Sequence, residues 1–526
     1  MFCRLKLSRY AAIIPALWLA LAAPSLAQSQ DCSSLANFTT PDVPVTVTLA
    51  ANVAANPATG VPAYCRVVAT ISPTQGSKIG VEYRLPDQWN GKFLGIGGGG
   101  LGGAISSGGF TDGLRRGYAA AQTDIGHTNA DGVGWALIAP GVPNTDRITD
   151  YSWRAVRLMT TVGKEIVKLY YAQGPQYSYW QGCSLGGREG MMETQRFPED
   201  YDGVIAGDPV YTHWLMFASI WRANQFQAQP ETALTLDLLP VINDPVLDAC
   251  DAKDGLEDGI IDDSRQCRWN PHRIVCRNGS GSDCLSRPQA DAIANVYRGP
   301  VIQGEKRPFY PGVPRGSELG WESRYVQDAS NGVAPQVGRY IIHQDPTWNS
   351  RTQHDINDPA QRELWANSQI MVEGNASDPD ISEFVKRGGK MIMYHGSYDP
   401  GPSPFSTIDY YEQLADVLGK NKELRALNPG NPAERVRESV RLFMVPGMYH
   451  CSGGPGTDSF DDLTALEQWV EHGIAPDSIH AVNEESGVSR PLCPYPQVAR
   501  YVGSGDPDDA ANFRCVDGIG KGAGHR

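Results

Sequence analysis

Tyr177-Ser178-Tyr179-Trp180-Gln181-Gly182-Cys183-Ser184-Leu185-Gly186-Gly187-Arg188-Glu189-Gly190 is the stretch on which the fold turns. Tyr177 to Gln181 is a short aromatic run of strand type. Gly187 to Thr194 reads as a helix. Between them, Gly182-Cys183-Ser184-Leu185-Gly186 fits G-x-S-x-G. A serine on a sharp strand-to-helix turn has a crowded backbone, and glycines two residues to either side relieve the clash. The serine then projects at the carboxyl edge of a sheet, with a helix N-terminus behind it. The spacing predicts Ser184 as a nucleophile. The bland alternative is a Gly-rich turn whose serine caps a helix.

Working outward, strands alternate with helices. Lys78 to Leu85, Lys92 to Ile96, Tyr118 to Thr123 and Gly203 to Ala206 read as strands. Asp150 to Tyr171 reads as a helix, since Val156, Met159, Gly163, Ile166 and Tyr170 recur at spacings of three and four. After Asp208-Pro209 the pattern breaks into a stretch rich in Trp, Asn, Asp, Gly and Pro. Alternation returns with Lys390 to Tyr394 and Val440 to Val445 as strands, and Ser406 to Leu418 and Asp461 to His472 as helices. The expected architecture is an α/β-hydrolase core over residues 28–209 and 388–526, with a large inserted lid domain over residues 210–387.

A nucleophilic serine needs a base, and the base needs a carboxylate to hold its tautomer. In this fold the chain order is Ser, acid, His. His450 follows the strand Val440 to Val445, and Asp399 follows Lys390 to Tyr394. These are the expected base and acid. Asp208 and Asp409 are rival acids. His395 is a rival base, but it precedes the acid. If Ser184 and His450 meet, the adjacent Cys183 and Cys451 are close enough to bridge. One oxyanion donor should be the N–H of Leu185, and the other should come from Gly97 to Gly100, with Gly99 or Gly100 favoured. Gly95 to Gly100 also fits G-x-G-x-x-G, but the glycine run does not open a helix, which disfavours a dinucleotide site.

The N-terminus reads as a signal peptide, residues 1–27. It has Arg4, Lys6 and Arg9, an apolar run from Ala11 to Ala23, and Ser25-Leu26-Ala27 as the cleavage site. A secreted or periplasmic location follows, with no membrane association after cleavage. Of 11 cysteines, Cys3 lies in the signal, and the even remainder implies disulfides whose pairing the sequence does not fix. The net charge of -14 makes nucleic acid an unsuitable partner. No organic cofactor is expected.

Together with His395-Gly396-Ser397-Tyr398-Asp399-Pro400 and Val445-Pro446-Gly447-Met448-Tyr449-His450-Cys451, the nucleophile stretch resembles the tannase and feruloyl esterase family, a resemblance that extends from roughly Cys32 to Cys515 and so over nearly the whole mature chain. The resemblance implies a secreted serine esterase acting on small aromatic esters, feruloyl, galloyl or similar hydroxycinnamoyl and benzoyl groups, through an acyl-enzyme. Alternatives are a terephthalate monoester hydrolase of the same family, or a non-catalytic wall-binding protein on the same scaffold. Tyr449 stands where a small residue is also common, and is expected to affect pocket shape. The family pairs the cysteines flanking nucleophile and base. With proximity, the resemblance also suggests Cys32–Cys65, Cys250–Cys267, Cys276–Cys284 and Cys493–Cys515. Asp251, Asp254 and Asp258 form an acidic loop that on spacing alone is as readily a surface loop as a metal site. The resemblance implies structural Ca²⁺ held by those three side chains and the Leu256 and Ile260 carbonyls. Of the lid aromatics Trp214, Trp221, Trp269, Trp321, Trp348 and Trp365, most are expected to pack, and one or two to stack on an acyl ring. Arg324 or Arg339 could meet a substrate carboxylate.

Overall fold

The computed structural model describes residues 30–278, 281–326, 332–427, 429 and 432–518. The expected signal peptide, residues 1–27, lies outside the described residues. Nine strands form one mixed sheet: β1 Val45–Val53, β2 Tyr64–Ile71, β3 Ile79–Pro86, β4 Lys92–Ile96, β5 Ala119–Thr123, β6 Tyr177–Cys183, β7 Gly203–Gly207, β8 Lys390–Gly396 and β9 Val440–Val445. Their spatial order is β1-β2-β3-β5-β4-β6-β7-β8-β9. From β5 to β9 every neighbouring pair is parallel, while β1, β2 and β3 add antiparallel strands on one side. This is an α/β fold.

Alternation along the central strands fills both faces. In β8, Met391 and Met393 enter one core and Ile392 and Tyr394 the other; in β7, Val204 and Ile205 divide the same way. A strand buried on both faces reads as a continuous apolar run, which is why KMIMY and VRLFMV stand out in the sequence. The helix Ala155–Tyr171 covers one face with Met159, Val162 and Ile166. The helix Asp462–His472 covers the other with Leu463, Leu466 and Trp469. The antiparallel β1 carries no such run, because it is half-exposed along its length.

The stretch between β7 and β8 is built of short helices and loops. Trp221 is fully buried against Trp348, His354 and Trp365. Trp321 packs on Tyr297 and Tyr325, and Trp269 on Tyr297. These rings form the core of the stretch. Tyr449 also packs into it, against Gly320, and does not line the cleft above Ser184. Five disulfides form: Cys32–Cys65, Cys183–Cys451, Cys250–Cys267, Cys276–Cys284 and Cys493–Cys515. No helix among the described residues is long and apolar enough to cross a membrane.

Candidate active site

Four neighbouring parallel strands end at one rim, and each delivers a functional side chain just past its end. Cys183 of β6 pairs with Gly207 of β7, Gly207 with Tyr394 of β8, and Gly396 of β8 with Val445 of β9. Ser184, Asp208, Asp399 and His450 follow in the connecting turns. The carboxyl edge of parallel strands is where open α/β sheets place their sites.

Ser184 has φ 62° and ψ -116°, a conformation a side-chain-bearing residue adopts only when its surroundings enforce it. The flanking glycines make that turn possible. A Cβ on Gly182 would come within 2.6 Å of the Gly186 carbonyl carbon, and one on Gly186 within 2.9 Å of the Gly97 Cα. The helix that follows is Leu185–Arg196, starting directly after the serine and running past the predicted Thr194.

His450 Nε2 is 2.9 Å from Ser184 Oγ, and His450 Nδ1 is 2.6 Å from Asp399 Oδ2. Asp399 is fully buried and accepts the Gly401 N–H at 2.8 Å. Burial opposes its ionisation, but the imidazoles of His450 and His395 hold its carboxyl well below the usual carboxylate range. The arrangement can hold the base in one tautomer and pass a proton between serine and imidazole.

The glycine loop after β4 lies beside Ser184. The Gly97 N–H donates to Gln181 O and the Gly98 N–H to Glu189 Oε2, at 2.9 and 3.0 Å. The N–H groups of Gly99 and Gly100 donate to no protein acceptor among the described residues, and that of Leu185 is an orphan donor at a helix start. Leu185 and Gly100 line the same cleft as Ser184 and His450.

Glu189 sets that loop. Burial pushes its carboxyl up to about 7, against the Arg188 charge and the Gly98 N–H, which pull it down. A carboxyl raised in the folded state is stabilising below its unfolded value, and that stability is lost as pH rises toward 7. Thermal unfolding should therefore show a melting temperature falling between about pH 4.5 and 7. Glu189→Gln should flatten that slope, and an unchanged slope would refute the assignment.

Several residues here carried no signal in the sequence. Arg188 is fully buried and donates to the carbonyls of Ser152, Tyr151 and Gly374 at 2.7, 2.9 and 3.0 Å, tying the nucleophile helix to the inserted stretch. Tyr151, Val210, His213, Met216 and Phe217 line the cleft, and with them Arg324, one of the two arginines named from the sequence for a substrate carboxylate. Burial lowers His213 to about 3, so its imidazole is neutral. The cleft rings are thus Tyr151 and Phe217 rather than the fully buried Trp221, Trp321 and Trp365. Arg339 binds the Trp348 carbonyl at 2.9 Å and is not among the cleft residues. Asp409 lies on the helix Pro404–Lys420, outside the cleft. His395 is fully buried with Nδ1 2.7 Å from Thr407 Oγ1, which leaves it no path to Ser184.

Asp251, Asp254 and Asp258 share a short loop closed by Cys250–Cys267. Asp251 accepts the Gly259 N–H, Asp254 the Leu256 and Asp262 N–H groups, and Asp258 the Ile260 N–H and Arg490. Among the described residues they do not gather one oxygen each within 4.8 Å, as Asp208, Asp399 and His450 do with their ligand atoms. The donor chemistry nevertheless suits a hard dication: burial, and after it Asp254 and Asp258, push the carboxyl of Asp262 up, and burial, with Asp258 and Asp251 behind it, pushes up that of Asp254.

The family model described as tannase and feruloyl esterase matches residues 65–516. Mono(2-hydroxyethyl) terephthalate hydrolase of Piscinibacter sakaiensis is 35% identical over 541 residues, covering 87% of this chain and 86% of its own. Probable feruloyl esterase B-1 of Aspergillus oryzae is 31% identical over 486 residues, covering 88% and 85%. The crystal structure of feruloyl esterase B from Aspergillus oryzae superposes with a TM-score of 0.78 at 29% identity, covering 92% of this chain and 99% of that one. Tannin acyl hydrolase from Aspergillus niger shares the fold, with a TM-score of 0.71 at 21% identity over 90% of each chain. The chain belongs to the tannase and feruloyl esterase family and is a carboxylic ester hydrolase.

Proposed function

We propose that this protein is a secreted serine esterase that cleaves aromatic carboxylic esters through an acyl-enzyme, on an α/β-hydrolase core (28–209 and 388–526) covered by a lid (210–387). The observation that carries this reading is the chain of contacts from Asp399 through His450 to Ser184, at 2.6 and 2.9 Å. His450 takes the Ser184 proton as Oγ attacks the ester carbonyl, then gives it to the leaving alcohol; water repeats the sequence on the acyl group. Leu185 and Gly100, with Gly99 beside them, supply the N–H donors for the oxyanion. Val210, His213, Met216, Phe217 and Arg324 of the lid line the cleft with Ser184, and Tyr151 and Phe217 are its rings for a planar acyl group. Export is supported by the signal-like N-terminus and by the five disulfides.

A second reading has a specific observation behind it. Arg324 lines the cleft, and a guanidinium there would favour an acyl group bearing a free carboxylate, as in a terephthalate monoester. A panel of feruloyl, galloyl and terephthaloyl esters, each with and without a free acyl carboxylate, tests both. Preference for the neutral acids supports the first, and preference for the charged acids the second. Equal turnover of aliphatic esters would overturn the aromatic assignment.

The acidic loop holds structural Ca²⁺ in this reading, through Asp251, Asp254 and Asp258 and the Leu256 and Ile260 carbonyls. The ion would neutralise carboxylates that otherwise repel one another, and it takes no part in the chemistry. A chelator should lower the melting temperature while leaving initial rates of the still-folded enzyme unchanged. Elemental analysis finding no calcium, with no thermal shift, would remove it.

A further inference from the structure

Asp208 takes no part in the mechanism above, yet it occupies the centre of the site's underside. It is fully buried at the end of β7, with φ 36°. Its Oδ1 accepts the Gly396 N–H at 2.9 Å and lies 3.5 Å from His395 Nε2. Its Oδ2 is 3.4 Å from the Cys183 sulfur. One oxygen of Asp208, one of Asp399 and one ring nitrogen of His450 all lie within 4.8 Å of one another. Two carboxyl groups therefore face one imidazole, one from the strand after the nucleophile strand and one from the strand beyond.

We propose that Asp208 is a positioning residue that shares a proton with Asp399 and serves as a second, latent acid for His450. Two buried carboxylates this close do not both ionise. Burial and Asp399 push the Asp208 carboxyl up, more than His395 and the Gly396 N–H pull it down, while Asp399 stays ionised against two imidazoles. The proton thus sits on Asp208, whose O–H donates to Asp399 and fixes the oxygen facing His450. When Asp399 loses its charge, the repulsion that adds to burial in keeping Asp208 neutral disappears. Asp208 then ionises and turns toward His450 Nδ1–H, restoring the tautomer that an asparagine at 399 would invert.

The inference rests on Ser184, His450 and Asp399 being the catalytic set, and a double-mutant cycle separates the two claims. kcat and KM are measured on an aryl ester for the parent, Asp399→Asn, Asp208→Asn and the double variant. Asp208→Asn should cost the parent several-fold in kcat, and the Asp399→Asn background tenfold or more, with KM little changed. A purely structural Asp208 would lower both backgrounds by the same factor, and that additivity would overturn the inference. Parent-like turnover by both Asp399→Asn and the double variant would instead overturn the catalytic set. Asp208→Ser, smaller and unable to ionise, replaces Asn in the same cycle if the double variant does not fold.

Discussion

Ser184→Ala is expected to give a folded protein whose aryl-ester turnover has fallen by about 10⁵-fold or more. Among the described residues the hydroxyl makes one side-chain hydrogen bond, to His450 Nε2 at 2.9 Å, and alanine removes only that oxygen. Alanine keeps the Cβ and therefore the same backbone strain at φ 62°. What disappears is the atom that forms the acyl-enzyme. Residual rate should come from the oxyanion donors and from binding alone. His450→Ala should fall by a similar factor, and the double variant little further, because the three residues act as a unit and their effects do not add. The check is steady-state hydrolysis normalised to intact protein by near-ultraviolet circular dichroism. A serine-directed phosphonate should label the parent stoichiometrically at Ser184 and the variant not at all. Turnover by Ser184→Ala within about tenfold of the parent would end the serine mechanism.

The parts of the site legible in the sequence share one property: their signal is local. A turn that tolerates no Cβ two residues from the serine writes its glycines into five consecutive positions. The strands KMIMY and VRLFMV are buried on both faces and so read as apolar runs, which placed Asp399 and His450 at strand ends. Apart from Arg324, the lining of the cleft was not legible, because Tyr151, His213 and Phe217 are gathered from separate segments by folding. The same holds for Arg188, whose three carbonyl acceptors come from two distant places. Tryptophan was ambiguous for a different reason. A ring that stacks on substrate and a ring that fills a core look alike in composition, and here Trp221, Trp321 and Trp365 fill the core. Asp208 stood out only as a rival acid. Only the register of β6, β7 and β8 brings it to the other two: one oxygen of Asp208, one of Asp399 and one ring nitrogen of His450 lie within 4.8 Å of one another.

Replacing Cys183 and Cys451 together by serine should lower the melting temperature by about 5 °C and reduce kcat at temperatures where the variant is still folded. The bond closes a loop with a sequence separation of 268, for which the chain-entropy model gives about 5 kcal/mol of stability. Its position matters more than its loop. Three side-chain-bearing residues with positive φ meet at this rim, Ser184 at 62°, Asp208 at 36° and Cys451 at 64°, and each such conformation costs about 1–3 kcal/mol. Cys183 precedes the first, its sulfur lies against the second, and its disulfide partner is the third. The bond therefore clamps the strained positions to one another and holds nucleophile and base in register. Without it, the backbone at 184 and 451 is free to relax toward ordinary geometry, which draws the Ser184 hydroxyl and the imidazole apart. Relaxation of a few tenths of an ångström is enough to lower kcat, since attack requires a near-aligned pair. The loss should appear in kcat rather than KM, because neither Cys183 nor Cys451 lines the cleft. Removing Cys276–Cys284 in the same way provides the comparison. Its sequence separation is 8 and it lies far from this rim in the chain, so kcat should hold. Equal kcat for both variants and the parent would show that the clamp contributes stability alone and that the strained geometry is maintained by the glycines and the sheet.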